Sequence, residues 1–205
     1  MDMLLQHGHM QWQGSLRDTY NKYLHPDVLD YTTKEMWDWV AENKVVNLFQ
    51  FDSQIGLQAV KRIKPHNLTE LATANSIMRL MASEPGAEQP IDTYIRYKND
   101  ISQWYSCMRD EYHLTEEEIK IVEPYLLPVY GVGDTQEIVM ELSMDDHIAG
   151  FDVAQSNKLR KGISKKDKNL QAAMKKMFFE HGKEIQTSEN LLLYIWKEVV
   201  GKQLG

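Results

Sequence analysis

Residues 130–166 read YGVGDTQEIVMELSMDDHIAGFDVAQSNKLRKGISKK, and the rest of the chain is best read outward from them. The stretch opens on a tight turn, Tyr130-Gly131-Val132, and runs into an amphipathic helical pattern. It ends in a knot of cations. Over residues 157–176, Lys158, Arg160, Lys161, Lys165, Lys166, Lys168, Lys175 and Lys176 face a single acid, Asp167, a net +7 within a chain of formal charge −7. A concentrated positive patch on an acidic body points to an anionic ligand, most often phosphate. The same pattern also suits a solvated basic helix face.

Helix signals dominate on either side. Thr32 with Glu35, Asn67 with Glu70, Thr115 with Glu118 and Asp134 with Glu137 each read as a capping box ahead of apolar residues. Pro90 takes the first helical position before IDTYIRYKND. Ser164 or Asp167 opens a helix through NLQAAMKKMFFE, which Gly182 closes. Leu191, Leu192, Ile195 and Val199 recur at helical spacing near the C-terminus. The best strand candidate is VVNLFQF, residues 45–51, and loops are expected at 83–90, 124–134 and 182–188. No repeat or low-complexity tract occurs, and the first 25 residues carry weak signals. The expected architecture is all-α, with about seven to nine helices and at most a short strand near 45–51.

At 205 residues, 42% apolar and 26% charged, the chain can bury a core as one domain. Its one cysteine, Cys107, excludes an internal disulfide and any cysteine-built zinc cage, and it fits a reducing, cytoplasmic setting. The N-terminal MDMLLQHGHMQWQGS does not read as a signal peptide, and no membrane span is expected. The acidic balance argues against indiscriminate coating of nucleic acid, not against a local phosphate site.

If Ser164 caps the following helix, Lys165, Lys166 and Lys168 crowd its N-terminus. The macrodipole disfavours cations there by roughly 0.3–1 kcal/mol each. A bound anion relieves this, and so does splaying the side chains into water. Arg79 shares a helix face with Leu68, Ala72 and Asn75. It suits either a helix C-terminus or a phosphate clamp. His7-Gly8-His9 lacks companions to complete a metal site, and Asp145 and Asp146 diverge by ~100° on a helix. Cys107 reads as a small buried apolar residue. Glycine-rich phosphate loops, nucleophile elbows and H-E-x-x-H are missing. Two-metal nucleotidyl transfer needs carboxylates converging on ions ~4 Å apart, and no Asp-x-Asp occurs. The chain reads as one that binds without itself catalysing.

Four segments in order resemble one family. VVNLFQFDSQIGLQAVKRIKPHNLTELATANSIMR is similar to the opening of the fingers of C-family bacterial and phage replicative DNA polymerases, the DNA polymerase III α subunits. There a Phe-Gln-Phe/Leu-Glu-Ser run leads through Leu-Lys-Pro to a helix ending in Leu-Tyr-Arg-Pro-Gly-Pro. Ile77-Met78-Arg79 takes the Leu-Tyr-Arg place, and IDTYIRYKND is similar to the family's next segment. YGVGDTQEIVM resembles Tyr-Gly-Val-x-x-Tyr-Gln-Glu-x-Val-Met through Tyr130, Gly131, Val132, Gln136, Glu137, Val139 and Met140. IAGF…NKLRKGISKKD resembles Leu-Ala-Gly-Tyr…Leu-Leu-Arg-Arg-Ala-Met-Gly-Lys-Lys, placing Arg160, Lys161, Lys165 and Lys166. The likeness covers about residues 44–200. Leu80-Met81-Ala82 replaces Pro-Gly-Pro, Thr135 the second Tyr, Gly162 Ala and Ser164 Gly.

The resemblance implies a fingers-like domain over 44–205, behind a helical or partly disordered segment 1–43. It implies that Arg79, Arg160, Lys161, Lys165 and Lys166 face the triphosphate or DNA backbone, with Tyr130, Gln136 and Glu137 bordering the nascent base pair. The partners it implies are primer-template DNA, the incoming dNTP, and the palm and thumb of a whole polymerase. Mg2+ belongs to the palm, and this chain is expected to hold no cofactor and to be inactive alone. A helical module that uses the basic patch on nucleic acid or on an acidic protein, outside any polymerase, is the other reading.

Overall fold

The computed structural model describes residues 1–42, 44, 48–80 and 86–204. Twelve α-helices run along them: α1 Asp2–Gln6, α2 Leu16–Tyr23, α3 Lys34–Ala41, α4 Gln54–Ile63, α5 Leu68–Ile77, α6 Pro90–Asn99, α7 Ser102–Ser106, α8 Glu116–Leu126, α9 Gln136–Met144, α10 Val153–Ser164, α11 Lys168–Glu184 and α12 Glu189–Tyr194. The fold is all-α, and the described residues contain no strand. The number of helices exceeds the expected seven to nine because α1, α7 and α12 are only five or six residues long. Of the strand candidate, residues 45–47 lie outside the described residues, and 49–51 form a turn.

One core joins helices α3 to α12. Tyr94, Trp104, Leu126, Leu142, Leu159, Phe178 and Leu192 are completely or almost completely buried in it, and Trp37 and Val40 of α3 pack into the same cluster. Each such apolar side chain contributes about 1.5–3 kcal/mol by leaving water. Helices α9, α10, α11 and α12 pack each on the next, as do α3, α4 and α5. Two helices end in wider turns. α7 continues as a π-helical turn, Cys107–Glu111, and α12 as another, Ile195–Val200, followed by a 3-10 turn, Gly201–Gln203. Cys107 is buried as expected, and burial pushes its thiol up to about 11.

Several local expectations shift. Thr115 and Glu118 form the full capping box, but Thr32 does not cap α3. Its N–H and hydroxyl instead bond the Asp30 carboxylate at 2.7 and 2.6 Å, and the helix starts one residue later. Thr135, not Asp134, caps α9. Pro124 lies inside α8, although an interior proline costs a helix about 3 kcal/mol. The buried stripe Ile119, Val122 and Leu126 holds that helix together. Gly182 lies within α11, where the Leu192 side chain leaves no room for a Cβ. The helix ends at Glu184, and Gln186 takes the left-handed conformation.

Candidate functional site

The Tyr130 turn is built from below. The 3-10 turn Leu127–Val129 delivers the chain to Tyr130 and Gly131, both left-handed, at φ 48° and 75°. Gly131 is required at its position, because the Trp104 indole lies where a Cβ would stand. Trp104 Nε1 donates to Tyr194 Oη at 2.7 Å. Gly133 lies against Val199, and Gln203 Nε2 donates to the Gly133 and Thr135 carbonyls at 3.0 and 2.9 Å. The turn then enters α9, which begins at Gln136, with Glu137 exposed in its first turn.

Tyr130 reaches the other half of the site. Its hydroxyl donates to Glu70 Oε1 at 2.9 Å, and its ring meets Tyr94 edge to face at 5.4 Å. Glu70 is 4% exposed. Its Oε2 accepts from Lys98 Nζ at 2.6 Å and from the His66 N–H at 2.7 Å. Asn67 caps α5 as expected, accepting from the Glu70 N–H at 2.8 Å. The Glu70 carboxylate turns away from the return half of that box toward His66, Lys98 and Tyr130. Burial pushes its carboxyl up, but the bonds from Lys98, His66 and Tyr130 outweigh this and hold it below the ordinary value. Burial, with the Glu70 bond, pushes the Tyr130 phenol up to about 12, so both groups keep these roles at neutral pH. Asp134 is buried beside Thr73, and burial raises its carboxyl.

The cationic segment bridges α10 and α11. Arg160 and Lys161 occupy the end of α10, Lys165 is its C-cap, and Lys166 stands left-handed at φ 52° in the turn. Asp167 caps α11, accepting from the Asn169 and Leu170 N–H groups at 3.1 and 3.0 Å. Of the two caps expected, Asp167 serves and Ser164 does not. That residue lies inside α10, and the α11 N-terminus already has a carboxylate. Lys161 and Lys165 are at the C-terminus of α10, where the macrodipole favours them. Ser164 donates to Gln136 Oε1 at 2.8 Å and so ties the end of α10 to the start of α9.

The +7 segment divides by partnership. Lys168 donates to the Leu204 carbonyl at 3.1 Å, Lys175 lies 6.0 Å from the Trp196 ring, and Lys176 pairs with Glu180 at 3.7 Å. Arg160 Nε donates to Asn157 Oδ1 at 3.0 Å. Lys158, Lys161, Lys165 and Lys166 are exposed and have no side-chain partner among the described residues. Arg79, also exposed, follows the C-terminal end of α5 and bonds neutral Gln50. The structure therefore brings Gln136 to the last turn of α10, and Tyr130 to α5 and α6. Arg79 is held by Gln50 in the turn before α4, whereas the cations of 160–166 lie at the end of α10 and in the turn after it. Sequence reasoning missed Glu70 and Lys98 as members of the site. Glu70 carried a signal only as a capping residue.

The described residues hold no group of three or more His, Cys, Asp or Glu side chains able to bind a metal ion. None of their helices is long and apolar enough to cross a membrane.

An all-α domain whose Tyr-Gly-Val turn leads into α9, tied through Gln136 to the cation-bearing end of α10, is the class that the fold and site define. Comparison with known proteins supplies the family. The bacterial DNA polymerase III alpha subunit finger domain matches residues 10–186, and the chain belongs to that family. It is 46% identical over all 205 residues to a probable DNA polymerase, YorL, of Bacillus subtilis and to a DNA-directed DNA polymerase of Bacillus phage SPbeta, and spans 16% of the length of each. It is 29% identical over 164 residues, 78% of the chain, to a DNA polymerase III subunit alpha of Ureaplasma parvum, of which it covers 15%.

Proposed function

We propose that this chain is the nucleotide-facing fingers of a DNA-directed DNA polymerase, and that it positions the incoming dNTP and primer-template for catalysis elsewhere. The family membership supports this, and so does one observation above all: among the described residues Lys161, Lys165 and Lys166 have no side-chain partner, close to the Ser164–Gln136 bond. Exposed cations in this setting suit phosphate, because each can exchange water for an anionic oxygen at little cost. Arg79, Arg160, Lys161, Lys165 and Lys166 face the triphosphate or DNA backbone, and Tyr130, Gln136 and Glu137 border the nascent base pair. The palm supplies the metal-binding carboxylates and Mg2+, and palm and thumb complete the contact surface in the cytoplasm. The unit includes α3, whose Trp37 and Val40 share the core.

The test is single-nucleotide incorporation by the full-length polymerase. R160A and K161A should each raise the dNTP KM about tenfold, the loss of one charge-assisted contact. Unchanged KM in both variants, with normal folding, would overturn the assignment.

A further inference from the structure

Glu70 is placed oddly for a residue whose sequence signature is a helix cap. Its two oxygens divide their duties. Oε2 takes Lys98 and the His66 N–H, and Oε1 takes Tyr130 across 60 residues of chain. Lys98 is itself held in place, donating also to the Ile63 and Lys64 carbonyls at 2.9 Å each. Tyr130 is thereby fixed at three points: its hydroxyl by Glu70, its ring by the fully buried Tyr94, and its backbone by the left-handed turn over Trp104. The ring is only half-buried, so part of it stays open beside a backbone that leads straight into Gln136 and Glu137. A ring this constrained is a fixed platform.

We infer that Glu70, braced by Lys98, is a positioning residue that fixes the Tyr130 ring against the incoming nucleotide. This rests on the reading that Tyr130 borders the nascent base pair. The bond acts by pre-organisation: a ring already held in its working position loses no rotamer freedom when the nucleotide arrives. Glu70 touches no substrate. Its effect therefore falls on nucleotide binding and reaches it only through the Tyr130 hydroxyl.

The experiment is a double-mutant cycle on the full-length polymerase, measuring KM and kcat for the correct dNTP with Y130F, E70Q and the pair, alongside Y130A. Y130F removes one oxygen and leaves Glu70 with Lys98 and His66, so it remains informative even if E70Q folds poorly. Y130F should raise KM roughly fivefold, the size of one hydrogen bond, with kcat within about twofold. E70Q should raise KM in the native background and add less than about twofold on top of Y130F. Independent, multiplying effects of the two substitutions would overturn the inference, as would a Y130F variant with native KM. If Y130A raises KM while Y130F does not, the platform idea fails and the base-pair assignment stands. If Y130A also leaves KM unchanged, both fail.

Discussion

Lys98 and Lys165 show two ways of keeping a lysine. The Lys98 side chain is 11% exposed and spends its donors on Glu70 and two backbone carbonyls. Lys165 is exposed, caps α10 and touches no acid among the described residues. The first ammonium has exchanged water for protein and belongs to the architecture. The second keeps its water, and on the proposed function its charge meets phosphate outside the chain. Burial, more than charge density, separates a lysine that builds the site from one that serves it.

The largest expected effect breaks the buried pair. K98M leaves Glu70 ionised and without its cation, and should cost about 3–5 kcal/mol in urea unfolding of this chain. A loss below about 0.5 kcal/mol would show that water reaches the pair and that the contrast is false. The next effect is pH-dependent. Because the folded state holds the Glu70 carboxyl below its ordinary value, the stability it contributes is complete above the unfolded value of about 4.3 and is lost as pH falls through the folded one. The melting temperature should fall on acidification below about pH 4.3, and less steeply in E70Q. Glu88, lowered chiefly by Arg96, keeps part of the dependence in both proteins. A melting curve with identical pH slope in native and E70Q protein would remove Glu70 from the account. The smallest effect on stability comes from the bare lysines. K165A/K166A should stay within about 0.5 kcal/mol of the native chain. In the full polymerase the same pair should lower the slope of log affinity for DNA against log salt by about two. An unchanged slope would return these lysines to ordinary solvated surface.

The helical class is legible because capping and periodicity are local. Thr115 with Glu118 and Asn67 with the Glu70 N–H behave as the sequence pattern predicts. Asp152 with Gln155 forms a second full box, and its pattern is equally local. The misleading signals are tertiary. Nothing near Gly182 announces Leu192 beneath it, and nothing near Pro124 announces how deeply its helix is buried. The candidate site divides along the same line. Tyr130, Gln136 and the cations sit in motifs that can be read in order. Glu70 looks like a cap until Lys98 and Tyr130 arrive from 28 and 60 residues away. Ser164 and Asp167 are both plausible caps by residue type, and only the backbone path chooses between them.

The Tyr130 turn has a mechanical consequence. Gly131 rests on Trp104, Trp104 is bonded to Tyr194, and beyond Tyr194 the π-helical run returns Val199 to Gly133 and the 3-10 turn returns Gln203 to the Gly133 and Thr135 carbonyls. Lys202 adds a buried bond to Thr93 of α6 at 2.8 Å. The turn is thus clamped between the middle of the chain and the residues that follow α12. If the fingers swing during a catalytic cycle, the Tyr130 turn, α6 and α12 travel as one lever arm, with the pivot outside the contacts that join them.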